Sequence, residues 1–176
     1  ATGYNIVDVV AAAAKNITVC NAPSYGSRSV AQMAIAHVLN LANGISHHTN
    51  AVRDERWANA GDWCFWDHPL VELDGKTMGI VGWGEIGQAT ARLAQALGRR
   101  VVAHTRTSRN LDGIQEVPLD ELIQTADVIS LHCPLTQETD RLFNAERIAF
   151  ALAVYERQLV ADQTPWDDYI NGNLSA

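Results

Sequence analysis

Met78-Gly79-Ile80-Val81-Gly82-Trp83-Gly84-Glu85-Ile86-Gly87 is the stretch on which the fold of this chain turns. An apolar run enters a loop whose glycines are spaced Gly-x-Gly-x-x-Gly, and the apolar residues of positions 86–97 then return at helical spacing. Strand, glycine loop and helix in that order give each glycine a separate task. Gly82 permits a tight turn, Gly84 leaves a backbone surface without Cβ for a pyrophosphate to approach, and Gly87 lets helix and strand pack closely. The free amides and positive helix end at Glu85 and Ile86 are then suited to receive phosphate oxygens. The motif predicts a dinucleotide-binding unit.

Downstream of it, residues 100–104 read as a second strand, 119–125 as a helix and 128–132 as a third strand. Strands alternating with helices predict a parallel sheet with right-handed crossovers, an α/β Rossmann-like doubly wound sheet. Upstream, residues 5–15 suit a short helix and residues 17–20 a short strand. Ser27 or Ser29 can cap a following helix, which the apolar residues Val30, Met33, Ala34, Ile35, Val38, Leu39 and Leu41 nearly encircle. That helix is expected to be buried and to end near Gly44. Residues 50–67 are polar but hold Trp57, Trp63, Phe65 and Trp66, which predicts a surface segment anchored by rings turned inward. After Asn144, Ile148, Leu152, Tyr155 and Leu159 fall at helical spacing without another strand signal, so the sheet is expected to be incomplete. The divisions that follow are residues 1–24, 25–144 and a helical tail of 145–176.

The second strand of a dinucleotide fold ends in an acidic residue about 20 positions after the glycines, where it holds the ribose 2′-hydroxyl. This chain has His104-Thr105-Arg106-Thr107-Ser108-Arg109 there. With no carboxylate in that run, and with Arg106, Ser108 and Arg109 as donors, the cofactor reads as NADP or NAD with a lean to NADP. His132-Cys133-Pro134 follows the third strand at the carboxyl edge, where open α/β sheets bind ligands. His132 reads there as a hydrogen-bonding residue and not as a general base, since no acidic partner adjoins it. Gly75-Lys76-Thr77 precedes a strand instead of following one and is no phosphate loop. His37, His47 and His48 lack a metal-ligand spacing, and the adjacent pair is expected to splay apart at a solvated helix end.

The formal charge of −7 over 176 residues argues against nucleic acid or an anionic membrane as partner. Cys20, Cys64 and Cys133 form no Cys-x-x-Cys pair, and no apolar run approaches the roughly 18 residues needed to span a bilayer. The opening residues carry no secretory leader pattern, so a cytoplasmic location is expected.

Several segments agree in order with one family: Ala1-Thr2-Gly3-Tyr4-Asn5, Ser29-Val30-Ala31-Gln32, Asp62-Trp63-Cys64-Phe65-Trp66, the run from Leu73 through Gly82, and Leu131-His132-Cys133-Pro134-Leu135-Thr136. Together they resemble the D-isomer-specific 2-hydroxyacid dehydrogenases, most closely the glycerate dehydrogenase/hydroxypyruvate reductase branch, from Ala1 to about Phe150. The resemblance implies hydride transfer between NAD(P)H and a 2-keto acid such as hydroxypyruvate or glyoxylate. It implies Thr2 near the nicotinamide, Glu85 and Ile86 on the pyrophosphate, Thr105 at the ribose-discriminating position, and Cys133 with Pro134 along the adenosine. It also implies that residues 1–24 are the end of a substrate domain. The family continues into an Asn-Thr-Ala-Arg-Gly strand and later a Glu and a His that serve as acid and base; none of these motifs occurs here, and no histidine follows His132. The expectation is therefore a truncated member that binds dinucleotide without catalysing alone, with no catalytic residue named. The alternatives are one half of an enzyme completed in trans, or a non-enzymatic binding or interaction module, with a homodimer as the candidate assembly.

Overall fold

The computed structural model describes residues 3–4, 6–107, 111, 113–144 and 147. Its centre is the strand β1, Thr77–Val81, every residue of which is buried. Strands covered on both faces carry continuous apolar runs, and this one does. β1 pairs in parallel with β2, Arg100–His104, in the register Met78 to Val101 and Ile80 to Ala103. On its other side it pairs in parallel with β4, Val128–Leu131, with Gly79 opposite Ile129. A two-residue strand β3, Gln115–Glu116, adds to the outer edge of β2, giving the order β3-β2-β1-β4. The chain thus moves outward from β1 to β3 and then returns across β1 to β4. That reversal leaves a crevice at the carboxyl ends of β1 and β4.

Alternation along β1 sends Met78 and Ile80 to one face and Gly79 and Val81 to the other. On the first face lie two helices, α4 (Glu85–Ala96) and, packed against it, α2 (Ser27–Asn43). Ala91 and Ala94 of α4 and Ile35, Val38 and Ala42 of α2 form one cluster with Met78, Ile80, Val101 and Ala103. Small residues on α4 let the second helix approach; Met78 and Ile80, fully buried, each contribute about 1.5–3 kcal/mol of apolar burial. On the opposite face α5, Leu119–Thr125, seats Leu122 among Val81, Val102 and Val117. The sheet is therefore covered on both faces, and the doubly wound reading holds.

The sequence missed β3, whose two residues carry no periodicity, and it misjudged four other features. Residues 17–20 form no strand; they lie exposed with no pairing partner among the described residues. The N-terminal helix, α1, is shorter than expected, Val9–Ala14, and begins where the Asp8 carboxylate accepts the Ala11 amide at 2.9 Å. α2 ends as expected at Gly44 in the left-handed conformation (φ +56°), but it is not buried all round: Val30, Met33 and Leu41 are exposed beside β4, whose outer edge no strand covers among the described residues. An unexpected helix, α3 (Ile45–Arg53), runs into the start of the polar surface segment 50–67, and after it Trp57, Trp63 and Trp66 are exposed instead of turned inward. Only Phe65 is drawn in, beneath the Arg56 guanidinium, which stands 4.9 Å from its ring centre. The expected helix beyond residue 144 lies outside the described residues, except that the Asn144 side chain accepts the Arg147 amide at 2.9 Å.

Gly79 is the point at which the α5 layer closes on the sheet. A Cβ there would stand 2.5 Å from Leu122 Cδ2 and 3.0 Å from Ala126 Cβ. Gly79→Ala is accordingly expected to lose about 1–3 kcal/mol by overpacking. Urea denaturation measures this, and an unchanged midpoint would mean that α5 is not held against β1 at this distance.

Candidate functional site

The crevice between β1 and β4 is bounded by the glycine loop. Gly82 has φ +100°, and its amide donates to the His104 carbonyl at 2.9 Å, which ties the loop to the end of β2. A Cβ on Gly82 would lie 2.7 Å from the carbonyl carbon and oxygen of His132 and 2.8 Å from the Cys133 amide. Two chain segments therefore meet at backbone distance, and glycine is required for both the dihedral and the approach. Gly87 closes the other end of the loop, since a Cβ there would sit on the Gly82 carbonyl oxygen and 3.2 Å from Ile80 Cγ2.

Gly84 differs from both. It is the N-cap of α4, has extended φ and ψ (−78° and −174°), receives no side-chain cap, and would meet nothing within 4 Å if it bore a Cβ. Its backbone faces open space, as a phosphate approach requires. The first turn of α4 then presents Glu85, exposed, and Ile86, half-buried, whose carbonyl accepts the Thr90 hydroxyl at 2.9 Å. Glu85 Oε2 accepts the Ser27 hydroxyl at 3.0 Å. The hydroxyls of Ser24 and Ser27 hold its carboxyl below the usual carboxylate range. Trp83 stands within the loop, partly buried against the α2/α4 cluster.

At the end of β2, Thr105 Oγ1 is within hydrogen-bond distance of the Thr107 carbonyl (2.8 Å) and of Glu116 Oε1 (2.7 Å). The sequence reading found no carboxylate near this position because it looked along β2. The acid arrives from β3, where Glu116 stands in register with Ala103. A search for acidic residues on the next short strand, instead of at a fixed spacing from the glycines, could have found it. Arg106 is exposed and stands 3.8 Å from Glu138. Of the other sequence candidates, Cys133 is half-buried beside Gly82 and packs on the α5 face, and Pro134 is exposed, its carbonyl accepting the Thr139 hydroxyl at 2.6 Å. Thr2, Ser108 and Arg109 lie outside the described residues.

His132 is held by local bonds: its amide donates to the Val81 carbonyl at 2.8 Å and its Nε2 lies 2.9 Å from Ser130 Oγ. Burial pushes its imidazole pKa down. The histidines of α3 do not splay as expected. The rings of His47 and His48 lie 5.3 Å apart, both converge on His68, and His47 and Arg56 share the Asp67 carboxylate. Among the described residues no group of three or more His, Cys, Asp or Glu side chains could hold a metal ion.

Residues 35–152 match the D-isomer specific 2-hydroxyacid dehydrogenase family, NAD binding domain. The chain belongs to this family. It is 50% identical over 152 residues to the hydroxypyruvate reductase of Blautia hydrogenotrophica, covering 85% of this chain and 47% of that one. Among solved structures, the TT0316 protein of Thermus thermophilus superposes with a TM-score of 0.74 at 39% identity over 86% of this chain and 47% of that one. The D-lactate dehydrogenase of Lactobacillus jensenii, solved with NAD+, gives 0.68 at 29% identity over 84% and 44%. The chain thus spans about half the length of these relatives. Family membership makes the cofactor a nicotinamide dinucleotide, in keeping with the glycine loop at the switch point of the sheet.

The three glycines separate in a stability measurement. Gly82→Ala and Gly87→Ala are expected to lose on the order of 2–4 kcal/mol, because backbone must move to admit the methyl group. Gly84→Ala is expected to melt within a few degrees of the wild type. Equal losses at all three positions would contradict the open face assigned to Gly84.

Proposed function

We propose that this chain forms the dinucleotide-binding part of a 2-hydroxyacid dehydrogenase of the hydroxypyruvate reductase or glycerate dehydrogenase type. Residues 25–144 make the binding unit, and residues 1–24 belong to the end of a second, substrate-binding domain. The observation that carries this reading is the open face of Gly84 at the start of α4, between two glycines that sterics alone require. In the bound state the amides of Glu85 and Ile86 receive the pyrophosphate, Thr105 and its surroundings the adenosine ribose, and Cys133 with Pro134 the adenosine. Thr2 lies on the nicotinamide side. The hydride itself is chemistry of the cofactor; the chain positions it for transfer to a 2-keto acid.

Two observations pull cofactor choice in opposite directions. Arg106, joined in sequence by Ser108 and Arg109, offers donors to a 2′-phosphate and supports NADP. Glu116 at Thr105 supports NAD, since a carboxylate accepts from the 2′-hydroxyl and repels a phosphate there. Competition between NADH and NADPH on Glu116→Gln measures the balance. If Glu116 governs, the substitution shifts the affinity ratio toward NADPH by roughly tenfold; an unchanged ratio would leave the choice to the arginines.

Catalysis is assigned to further polypeptide, because no histidine follows His132 and the Asn-Thr-Ala-Arg-Gly motif does not occur in these 176 residues. Completion by further polypeptide, in cis or in trans, is supported by the outer edge of β4. It pairs with no strand among the described residues and borders a cavity of about 610 Å³ lined by Val30, Met33, Leu41 and Leu131. Homodimerisation is supported by the exposed Trp57 and Trp66, which with Phe65 and Ile45 line one open apolar cavity of the kind that marks protein interfaces. A cytoplasmic location fits the cofactor.

Calorimetric titration with NADH and NADPH tests the binding reading. Saturable binding of either, weakened about tenfold or more in Gly84→Ala with the fold intact, is the expected result. Binding unaffected by Gly84→Ala would contradict the site. Robust reduction of hydroxypyruvate by the chain alone would contradict the assignment of catalysis to missing groups.

A further inference from the structure

Glu85 stands under two opposing electrostatic demands. It is the one acidic residue in the first turn of α4, where a carboxylate favourably neutralises the positive helix end while no ligand is bound. It also has the same charge as the pyrophosphate that the amides of that turn are placed to receive. Left to point into the crevice, it would occupy the electrostatic position of the ligand.

The side chain is drawn elsewhere. Ser27 Oγ donates to Glu85 Oε2 at 3.0 Å, and Ser27 is the first residue of α2. The N-cap of α2, Gly26, makes no side-chain cap, and the first turn of α2 holds no acidic residue, so its positive end is otherwise without a carboxylate of its own. Glu85 is thus a carboxylate shared between the starts of two helices, held at the α2 side by the Ser27 hydroxyl.

We propose that Glu85 is a built-in competitor for the pyrophosphate position, and that Ser27 is a positioning residue that draws its carboxylate toward α2 and leaves the first turn of α4 open to the phosphates. The inference rests on the dinucleotide reading above and adds to it a residue that sets affinity through charge. Glu85 helps hold α4 and α2 together in the free protein and lowers the affinity for anionic ligands. Ser27 limits that loss. Charge repulsion acts only on ligands that carry phosphate, so a ligand such as adenosine is indifferent to it.

The test is calorimetry on the full chain with NADH, inorganic pyrophosphate and adenosine, comparing wild type, Glu85→Gln, Ser27→Ala, Ser27→Thr and the Ser27→Ala/Glu85→Gln double variant. Glu85 is exposed, so the glutamine variant keeps the fold. Glu85→Gln is expected to tighten NADH and pyrophosphate by about threefold to tenfold and to leave adenosine unchanged. Ser27→Ala weakens NADH by about threefold in the presence of Glu85 and has no effect in the glutamine background, and Ser27→Thr restores wild-type binding. The proposal is overturned if Glu85→Gln leaves phosphate-bearing ligands unchanged or weakens them, or if Ser27→Ala costs the same in both backgrounds, which would make the serine merely structural. Wild-type binding of NADH with no response to Glu85→Gln removes this proposal and leaves the dinucleotide reading standing; no binding of NADH by either protein removes both.

Discussion

Everything at the candidate site depends on the approach of the Gly82 backbone to the backbone of His132 and Cys133. β1 and β4 are neighbours in the sheet, yet their exits must diverge enough to admit a ligand and stay close enough to share its walls. The chain meets both demands by removing a side chain. With φ at +100° and a hypothetical Cβ only 2.7 Å from the His132 carbonyl, Gly82 turns the chain sharply out of β1 while β4 runs alongside. The Gly82 amide is meanwhile spent on His104 of β2, so a single residue joins the ends of three strands. Gly87 then brings α4 down onto that turn, and the open face of Gly84 follows from the other two contacts.

The two faces of the sheet have different consequences for function. The α2/α4 face is built from alanines and medium aliphatic side chains, which lets α2 lie close enough to α4 for a serine at its first position to reach a carboxylate at the first position of α4. The start of α4 is therefore not an isolated helix end but one of a pair, with a shared counter-charge. On the other face, Gly79 admits Leu122, and the chain leaving α5 can return directly into β4 beside β1. Without that close approach the switch in strand order, and with it the crevice, would have no support from below.

Much of this was legible in the sequence where local pattern and tertiary demand coincide. The glycine spacing, the buried β1, and the elements α4, β2, α5 and β4 were readable because each has a short-range cause: a dihedral, an apolar run, a period of 3.6. What was missed has long-range causes. β3 is two residues long and exists because β2 offers it an edge; the Glu116 carboxylate beside Thr105 is a consequence of that pairing and not of any spacing from Gly82. α2 looked apolar all round, and its composition cannot say that Val30 and Leu41 lie at the outer edge of β4, which no strand covers among the described residues. The tryptophans of residues 57–66 point outward for a related reason: aromatic character records that a ring wants cover, not which polypeptide supplies it.

The binding proposed above runs across the carboxyl ends of β1 and β4, with the phosphates of the dinucleotide on the first turn of α4. Amide chemical-shift mapping on the isotopically labelled chain during addition of NADH tests it most directly. The account predicts the largest shifts at Gly82, Gly84, Glu85, Ile86 and Cys133, with Thr105 next and with Thr77 and Arg100, at the opposite end of the same strands, unmoved. Shifts concentrated on the aromatic face around Trp57 and Trp66, or spread evenly through the sheet, would contradict it.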